Sequence, residues 1–208
     1  MTQDRLAMPE GLDVSREASD MLEAFVRRVQ KWNQAINLVS TETPVLLWNR
    51  HVVDSAQLFL HAPQDARLWV DLGSGGGFPG LVIAILARTL RPELAVVLVE
   101  SDQRKAAFLR LTSAELSLPA RVLAARIENC APFCADVLSA RALAPLDRLC
   151  HHAQAHLSAS GTALFPKGAR FEAEVAVART HWTFDLQTVP SLTDDHAMIL
   201  KIKDIRRA

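Results

Sequence analysis

The segment that most constrains this chain is Asp71-Leu72-Gly73-Ser74-Gly75-Gly76-Gly77-Phe78-Pro79-Gly80, which follows the apolar run Leu68-Trp69-Val70. A short buried strand, an acidic residue, alternate glycines and then a helix make the turn with which α/β proteins wrap a nucleotide-like cofactor. Glycine serves there because the turn takes up positive φ and because a Cβ would hold the backbone away from the ligand. Pro79 suits the first turn of the next helix, where a missing N–H costs nothing. Leu81-Val82-Ile83-Ala84-Ile85-Leu86-Ala87 supplies the body of that helix.

Two cofactor classes fit the turn. Gly75-x-Gly77-x-x-Gly80 matches the dinucleotide fingerprint. Asp71-x-Gly73-x-Gly75-x-Gly77 matches instead the acidic-x-Gly-x-Gly-x-Gly pattern of S-adenosylmethionine (AdoMet)-dependent methyltransferases. Glu100 closes the next strand-like run, Leu94 to Val99, and lies 20 residues after Gly80. An acid that holds ribose hydroxyls belongs at that place in either class. The turn therefore predicts a nucleoside pocket and leaves the chemistry open.

The 208 residues allow one good-sized α/β domain with a small appendage. Residues Arg16 to Leu38 carry Met21, Leu22, Phe25, Val26, Val29, Trp32 and Ile36 at helical spacing, and a second helix is predicted over Val45 to Leu60. These form an N-terminal helical cap over residues 1–62, before an AdoMet- or nucleotide-binding domain over 63–208. Helices over Gly80–Leu90, Gln103–Leu116, Leu146–Leu157 and Phe171–Arg179 then alternate with strands. Those strands are Ala95–Glu100, Ala120–Ala124, Asp136–Ala140 and Thr162–Phe165, and two more, Trp182–Val189 and Ala197–Ile202, follow each other at the end. This order predicts a mostly parallel seven-stranded sheet whose last strand is antiparallel.

Lys plus Arg and Asp plus Glu both number 23, so net charge lends no support to nucleic-acid binding, and any such function needs a local patch. Arg104-Lys105 and Lys167 are the candidates, the latter at the end of the fifth strand on the cofactor edge of the sheet. The longest apolar stretch, Leu81 to Ala87, is far too short for a bilayer, so no membrane partner is expected. Met1 to Arg5 has no basic stretch leading into an apolar one, so no secretory signal is expected. Cys130, Cys134 and Cys150 lack a Cys-x-x-Cys pair, which favours reduced thiols in a cytoplasmic protein. His152 and His156 have metal-pair spacing without an accompanying carboxylate pattern, so no metal site is expected.

Several segments coincide with one family. Lys31-Trp32-Asn33, Ile36-Asn37-Leu38, Arg50-His51-Val52-Val53-Asp54-Ser55, the Asp71–Gly80 turn, Lys105-Ala106-Ala107-Phe108-Leu109, Arg126-Ile127-Glu128, Ser139-Ala140-Arg141-Ala142 and Lys167-Gly168 follow its order and spacing. On these the chain resembles the bacterial small-subunit (16S) ribosomal RNA guanine-N7 methyltransferases, the glucose-inhibited division protein B family. It departs in having Ala140 before the Arg-Ala pair and a turn richer in glycine.

The resemblance implies a Rossmann-like class I AdoMet-dependent methyltransferase acting on 16S rRNA or the small subunit. AdoMet would be lined by Gly73 and Phe78, with Ile127 and Glu128 beside the adenine and Arg141 reaching cofactor or target base. Gly75 and Glu100 come to the site from the geometry of the turn itself. A monomer is expected.

Guanine N7 carries a lone pair in the major groove. Its methylation needs no prior proton removal and can proceed by alignment, with no catalytic side chain beyond a possible Arg141. The chain has no tyrosine, hence no Asn-Pro-Pro-Tyr or Asp-Pro-Pro-Tyr of exocyclic-amine methyltransferases, and no Pro-Cys for pyrimidine C5. Methylation of a small molecule, or hydride transfer with NAD, would use the same turn.

Overall fold

A computed structural model describes residues 5–40 and 43–208. The opening residues 1–4, on which part of the signal reading rests, lie outside it. Chain order is α1 (Arg16–Asn33), α2 (Pro44–Leu47), a π-helical segment (Trp48–Val53) and α3 (Asp54–His61). Then come β1 (Leu68–Leu72), α4 (Gly80–Leu90), β2 (Ala95–Glu100), α5 (Gln103–Glu115) and β3 (Ala120–Ala124). A 3₁₀ turn (Ile127–Asn129) leads to β4 (Ala135–Ser139), α6 (Leu146–His156), β5 (Leu157–Lys167), α7 (Phe171–Ala178), β6 (Trp182–Pro190) and β7 (Met198–Arg207).

The N-terminal helices depart from the periodicity in two places. Ser15 caps α1 by accepting from the Ala18 N–H, but the helix stops at Asn33, short of Leu38. The Asn33 Oδ1 accepts from the N–H groups of Leu38 and Val39 at 2.8 and 3.1 Å. An amide side chain that takes over backbone donors competes with the helix and ends it. The stretch predicted as one helix over Val45–Leu60 is α2, π segment and α3 in succession, with Arg50 and His51 inside the π segment. Such wide turns within α-helices are frequent at functional sites.

The seven strands run in the order β3-β2-β1-β4-β5-β7-β6. β1 to β5 are mutually parallel, and β7 is antiparallel to both its neighbours. The predicted antiparallel last strand is present. β5 and β7 are longer than their apolar cores suggested, because β7 pairs with β5 on one side and β6 on the other. Pro79 sits just ahead of α4, at its cap, rather than within the first turn.

Strand side chains alternate between two cores. Trp69, Val96, Leu98 and Val137 face a layer containing α1, α3, α4 and α5. Val70, Leu72, Val97, Val99 and Leu138 face α6 and the segment around Ala178 and Trp182. Both faces of the parallel strands are thus covered, which is why these strands read as continuous apolar runs. Leu22, Phe25, Val26 and Val29 of α1 share the first core with α4, so the N-terminal helices bury against the sheet layer itself. Among the described residues no helix is long and apolar enough to cross a membrane.

Candidate active site

β1 and β4 are neighbours whose following segments turn to opposite faces, so the C-terminal edge between them opens a crevice. In open α/β sheets that switch point is where ligands bind. Asp71 at the end of β1 anchors the turn from behind. It is fully buried; its Oδ2 accepts from the Gly80 N–H at 3.1 Å and its Oδ1 from the Ser139 hydroxyl at 2.7 Å. Trp69 Nε1 donates to the same Ser139 oxygen at 2.8 Å. Burial outweighs these hydrogen bonds and pushes the Asp71 carboxyl up to about 6. The acid of the turn motif therefore ties strand to helix and does not line the crevice.

Gly73, Gly75 and Gly77 all have positive φ, at 67°, 53° and 93°. Gly75 donates its N–H to Glu100 Oε2 at 2.8 Å, and Glu100 Oε1 accepts from the Asp102 N–H at 2.7 Å. Glu100 thereby fastens the glycine turn to the β2–α5 loop while still facing the crevice. A Cβ at Gly75 would find no protein atom nearer than Gly73 O at 3.8 Å. At Gly76 the Leu38 carbonyl lies 3.0 Å from where a Cβ would be, so the Asn33-held segment lies directly over the turn.

The resulting cleft has a volume of about 470 Å³, within the usual range for a nucleoside-sized ligand. All seven predicted cofactor residues, Gly73, Gly75, Phe78, Glu100, Ile127, Glu128 and Arg141, line it. Phe78 is buried among Phe25, with ring centroids 4.9 Å apart, and His51, at 5.1 Å. Ile127 and Glu128 come from the 3₁₀ turn after β3. Glu128 stands at the rim in an exposed ion pair with Arg148 at 2.8 Å, and its own backbone N–H, then Arg148, hold its carboxyl below the usual range.

Sequence reasoning missed Leu38, Arg126, Leu143, Arg148 and His152 as lining residues. Leu38 and Arg126 carried a signal, as parts of the Ile36-Asn37-Leu38 and Arg126-Ile127-Glu128 segments.

A second and wider cleft, of about 1070 Å³, adjoins the first. Arg141 and Ala142 line both. The second is also walled by Arg50 and Asp54, by Lys167 and Gly168, and by Leu192 to Asp195 of the β6–β7 loop. Arg141 donates to the Arg50 carbonyl at 3.1 Å and pairs with Asp54 Oδ2 at 3.5 Å, and its guanidinium carbon lies 5.5 Å from the Phe78 ring centre. Burial, then the cationic Arg141 and Arg50, pushes His51 down to about 3. Burial likewise raises Asp54, against the pull of Arg141.

The three residues chosen as RNA contacts differ in their surroundings. Arg104 is exposed at the start of α5, where Asp102 caps the helix, and lies 4.0 Å from the Asp102 carboxylate. Lys105, next to it, lines the cofactor cleft. Lys167 is largely buried: its ammonium donates to the Ala144 carbonyl at 2.8 Å and to Glu174 at 2.7 Å. It ties β5 to the loop after β4, an internal role that a terminal-strand lysine did not announce. Among the described residues no group of three or more His, Cys, Asp or Glu side chains could hold a metal ion.

Residues 18–200 match the GidB family, described as rRNA small subunit methyltransferase G. The chain belongs to this family. A ribosomal RNA small subunit methyltransferase G from Cereibacter sphaeroides is 56% identical over 192 residues, covering 92% of this chain and 93% of the relative. Among solved structures, a TehB-like SAM-dependent methyltransferase from Corynebacterium glutamicum superposes with a TM-score of 0.54 at 14% identity, covering 89% of this chain and 98% of that one. A mutant of MtNAS in complex with S-adenosylmethionine gives 0.58 at 14% identity, covering 89% and 75%. These likenesses give the class I methyltransferase fold. Within the GidB family frame, the Lys31-Trp32-Asn33 segment gains a physical role: Trp32 packs on Phe108 with ring centroids 5.6 Å apart, and Asn33 folds Leu38 over the cofactor turn.

Proposed function

We propose that this member of the GidB family is an AdoMet-dependent enzyme that methylates N7 of a guanine in 16S rRNA, holding AdoMet in the first cleft and the target base in the second. The observation that carries the reading is the shared wall at Arg141 and Ala142, which joins the two clefts. The residues fit the cofactor: a Cβ at Gly75 would meet only the Gly73 carbonyl, at van der Waals distance, while the outer wall supplies Ile127 and Leu143 for an apolar adenine face. Gly73, Gly75 and Phe78 hold the amino-acid end, and Ile127 and Glu128 flank the base. Each Glu100 oxygen already accepts one backbone N–H and keeps a second lone pair for a ribose hydroxyl.

Bound AdoMet supplies a sulfonium methyl as electrophile. N7 presents its lone pair without losing a proton, so the protein's part is to hold the base in line with that methyl and keep water out. No general base is required, and none is assigned. Arg141 orients groups at the junction. Arg104, exposed at the start of α5, and Lys105, which lines the first cleft, offer phosphate contacts, since a neutral protein must rely on local charge. Residues 1–62 act as a cap on the catalytic domain, 63–208, and the enzyme works as a monomer in the cytoplasm.

Purified protein incubated with methyl-labelled AdoMet and small subunits, naked 16S rRNA or a metabolite pool tests this. Label in the RNA, recovered after digestion as N7-methylguanosine, is the expected result. Label only in small molecules, or preferential binding of NAD, would overturn it.

A further inference from the structure

Arg141 follows β4 and stands where the two clefts meet, yet a guanidinium on a loop has many orientations. What fixes it comes from distant parts of the chain. Asp54, the first residue of α3, faces it with Oδ2, and both side chains are four-fifths buried or more. The other Asp54 oxygen, Oδ1, accepts from Gln57 Nε2 at 2.9 Å and from the Thr193 hydroxyl at 3.1 Å. Gln57, itself buried, accepts from the Leu192 N–H at 2.9 Å and donates to Ser191 Oγ at 3.2 Å. Ser191 Oγ in turn lies 3.1 Å from the Thr193 hydroxyl and accepts the Thr193 N–H. The β6–β7 loop that walls the second cleft is thus pinned to α3 through the same carboxylate that faces Arg141.

We infer that Asp54 is a positioning residue for Arg141, and that Thr193 completes the arrangement, so that the wall of the second cleft and the arginine at the junction are set as one unit. A carboxylate taken this far out of water carries a desolvation cost that apolar packing would avoid. Its partners point to a use for it: one oxygen is given to the arginine, and the other is held by two neutral donors that fix the carboxylate plane without competing for charge. Placing the loop through Thr193 makes the geometry at the junction depend on the segment that walls the second cleft. The inference rests on the proposed methyltransferase reading for its kinetic consequence and on contacts alone for its structural one.

The test uses the full chain. In methyl transfer to small-subunit RNA, Asp54→Asn lowers kcat between about tenfold and a hundredfold, the range for a displaced aligning group, with KM for RNA changed far less. Thr193→Val gives a smaller loss of the same kind, and Thr193→Ser, which keeps the hydroxyl, restores the parent rate. Asp54→Asn combined with Arg141→Ala is no slower than Arg141→Ala alone. Additive losses, equal effects of Thr193→Ser and Thr193→Val, or a change confined to KM would overturn the inference.

If the parent protein transfers no methyl to RNA, the proposed function fails separately. The reactivity of Arg141 toward phenylglyoxal, located by mass spectrometry, then reads its position. Asp54→Asn and Thr193→Val raise that reactivity and Thr193→Ser does not; unchanged reactivity in all three overturns the inference.

Discussion

Two glycines nine residues after Asp71 and four after it separate ligand from core. At Gly80 an added Cβ would lie 2.7 Å from Asp71 Oδ2 and 2.8 Å from Leu98 Cδ2, so Gly80→Ala crowds the buried carboxylate and β2. Overpacking of this kind costs about 1–3 kcal/mol, which at about 2–4 °C per kcal/mol for a chain of this size lowers Tm by several degrees. At Gly75 the nearest protein atom is 3.8 Å away, and only the φ of 53° opposes a side chain. Gly75→Ala therefore loses about 1–2 kcal/mol of stability from the left-handed backbone, and its methyl projects into the cleft. Bulkier Gly75→Val should abolish AdoMet binding with the fold kept. Ligand-induced stabilisation reads the difference: AdoMet at a hundred times its Kd adds about 2.7 kcal/mol to the parent, and a hundredfold loss of affinity leaves about 0.4 kcal/mol. Scanning calorimetry with and without AdoMet should show a full shift for Gly80→Ala from a lowered baseline, and almost none for Gly75→Ala. A full AdoMet shift in Gly75→Ala, or an unchanged baseline in Gly80→Ala, would rule out these separate roles for the two glycines.

Asp71 should make the fold pH-dependent in an unusual direction: its folded carboxyl, near 6 against 3.8, keeps its proton longer than the unfolded one. That group's contribution is fully present below about pH 4 and declines by roughly 3 kcal/mol as pH rises to about 6. Urea denaturation of Asp71→Asn should show this part of the profile flattened, and parallel profiles would count against it. Lys167→Ala should lower stability by about 1–3 kcal/mol, because it leaves the partly buried Glu174 carboxylate with the Leu146 N–H and without its ammonium partner, whereas Arg104→Ala should leave Tm unchanged and reduce the salt slope of RNA binding by about 1. The reverse pattern in filter-binding and melting experiments would return Lys167 to the RNA surface.

The succession of strands and helices and the cofactor turn were legible because their signals are local. The apolar run Leu68–Val70, the glycines and the acid at Glu100 each fall within one βα unit, and the structure builds the cleft from those units. What lay beyond the sequence depends on contacts between remote segments. Asn33 ends α1 through its side chain, a competition that helical periodicity cannot register. The π segment at Trp48–Val53 leaves no compositional trace, and the Arg50-His51-Asp54 cluster therefore had a pattern without a role. Ser191, Leu192 and Thr193 looked like a connecting loop, since only the antiparallel pairing of β6 with β7 carries them to Asp54 and Gln57. Lys167 stood at the predicted edge of the sheet, but Glu174, one helical turn into α7, draws its charge inward.

The central claim is methyl transfer to a guanine N7 by alignment alone, and RNA in which the target guanine is replaced by 7-deazaguanine tests it most directly. The substituted RNA keeps every phosphate and the Watson–Crick edge and lacks only the N7 lone pair. Alignment-only transfer gives unchanged binding with no methyl transfer to the substituted RNA, while unmodified RNA is methylated at a rate that varies little between about pH 6.5 and 9. Continued methylation of the 7-deaza RNA would contradict it.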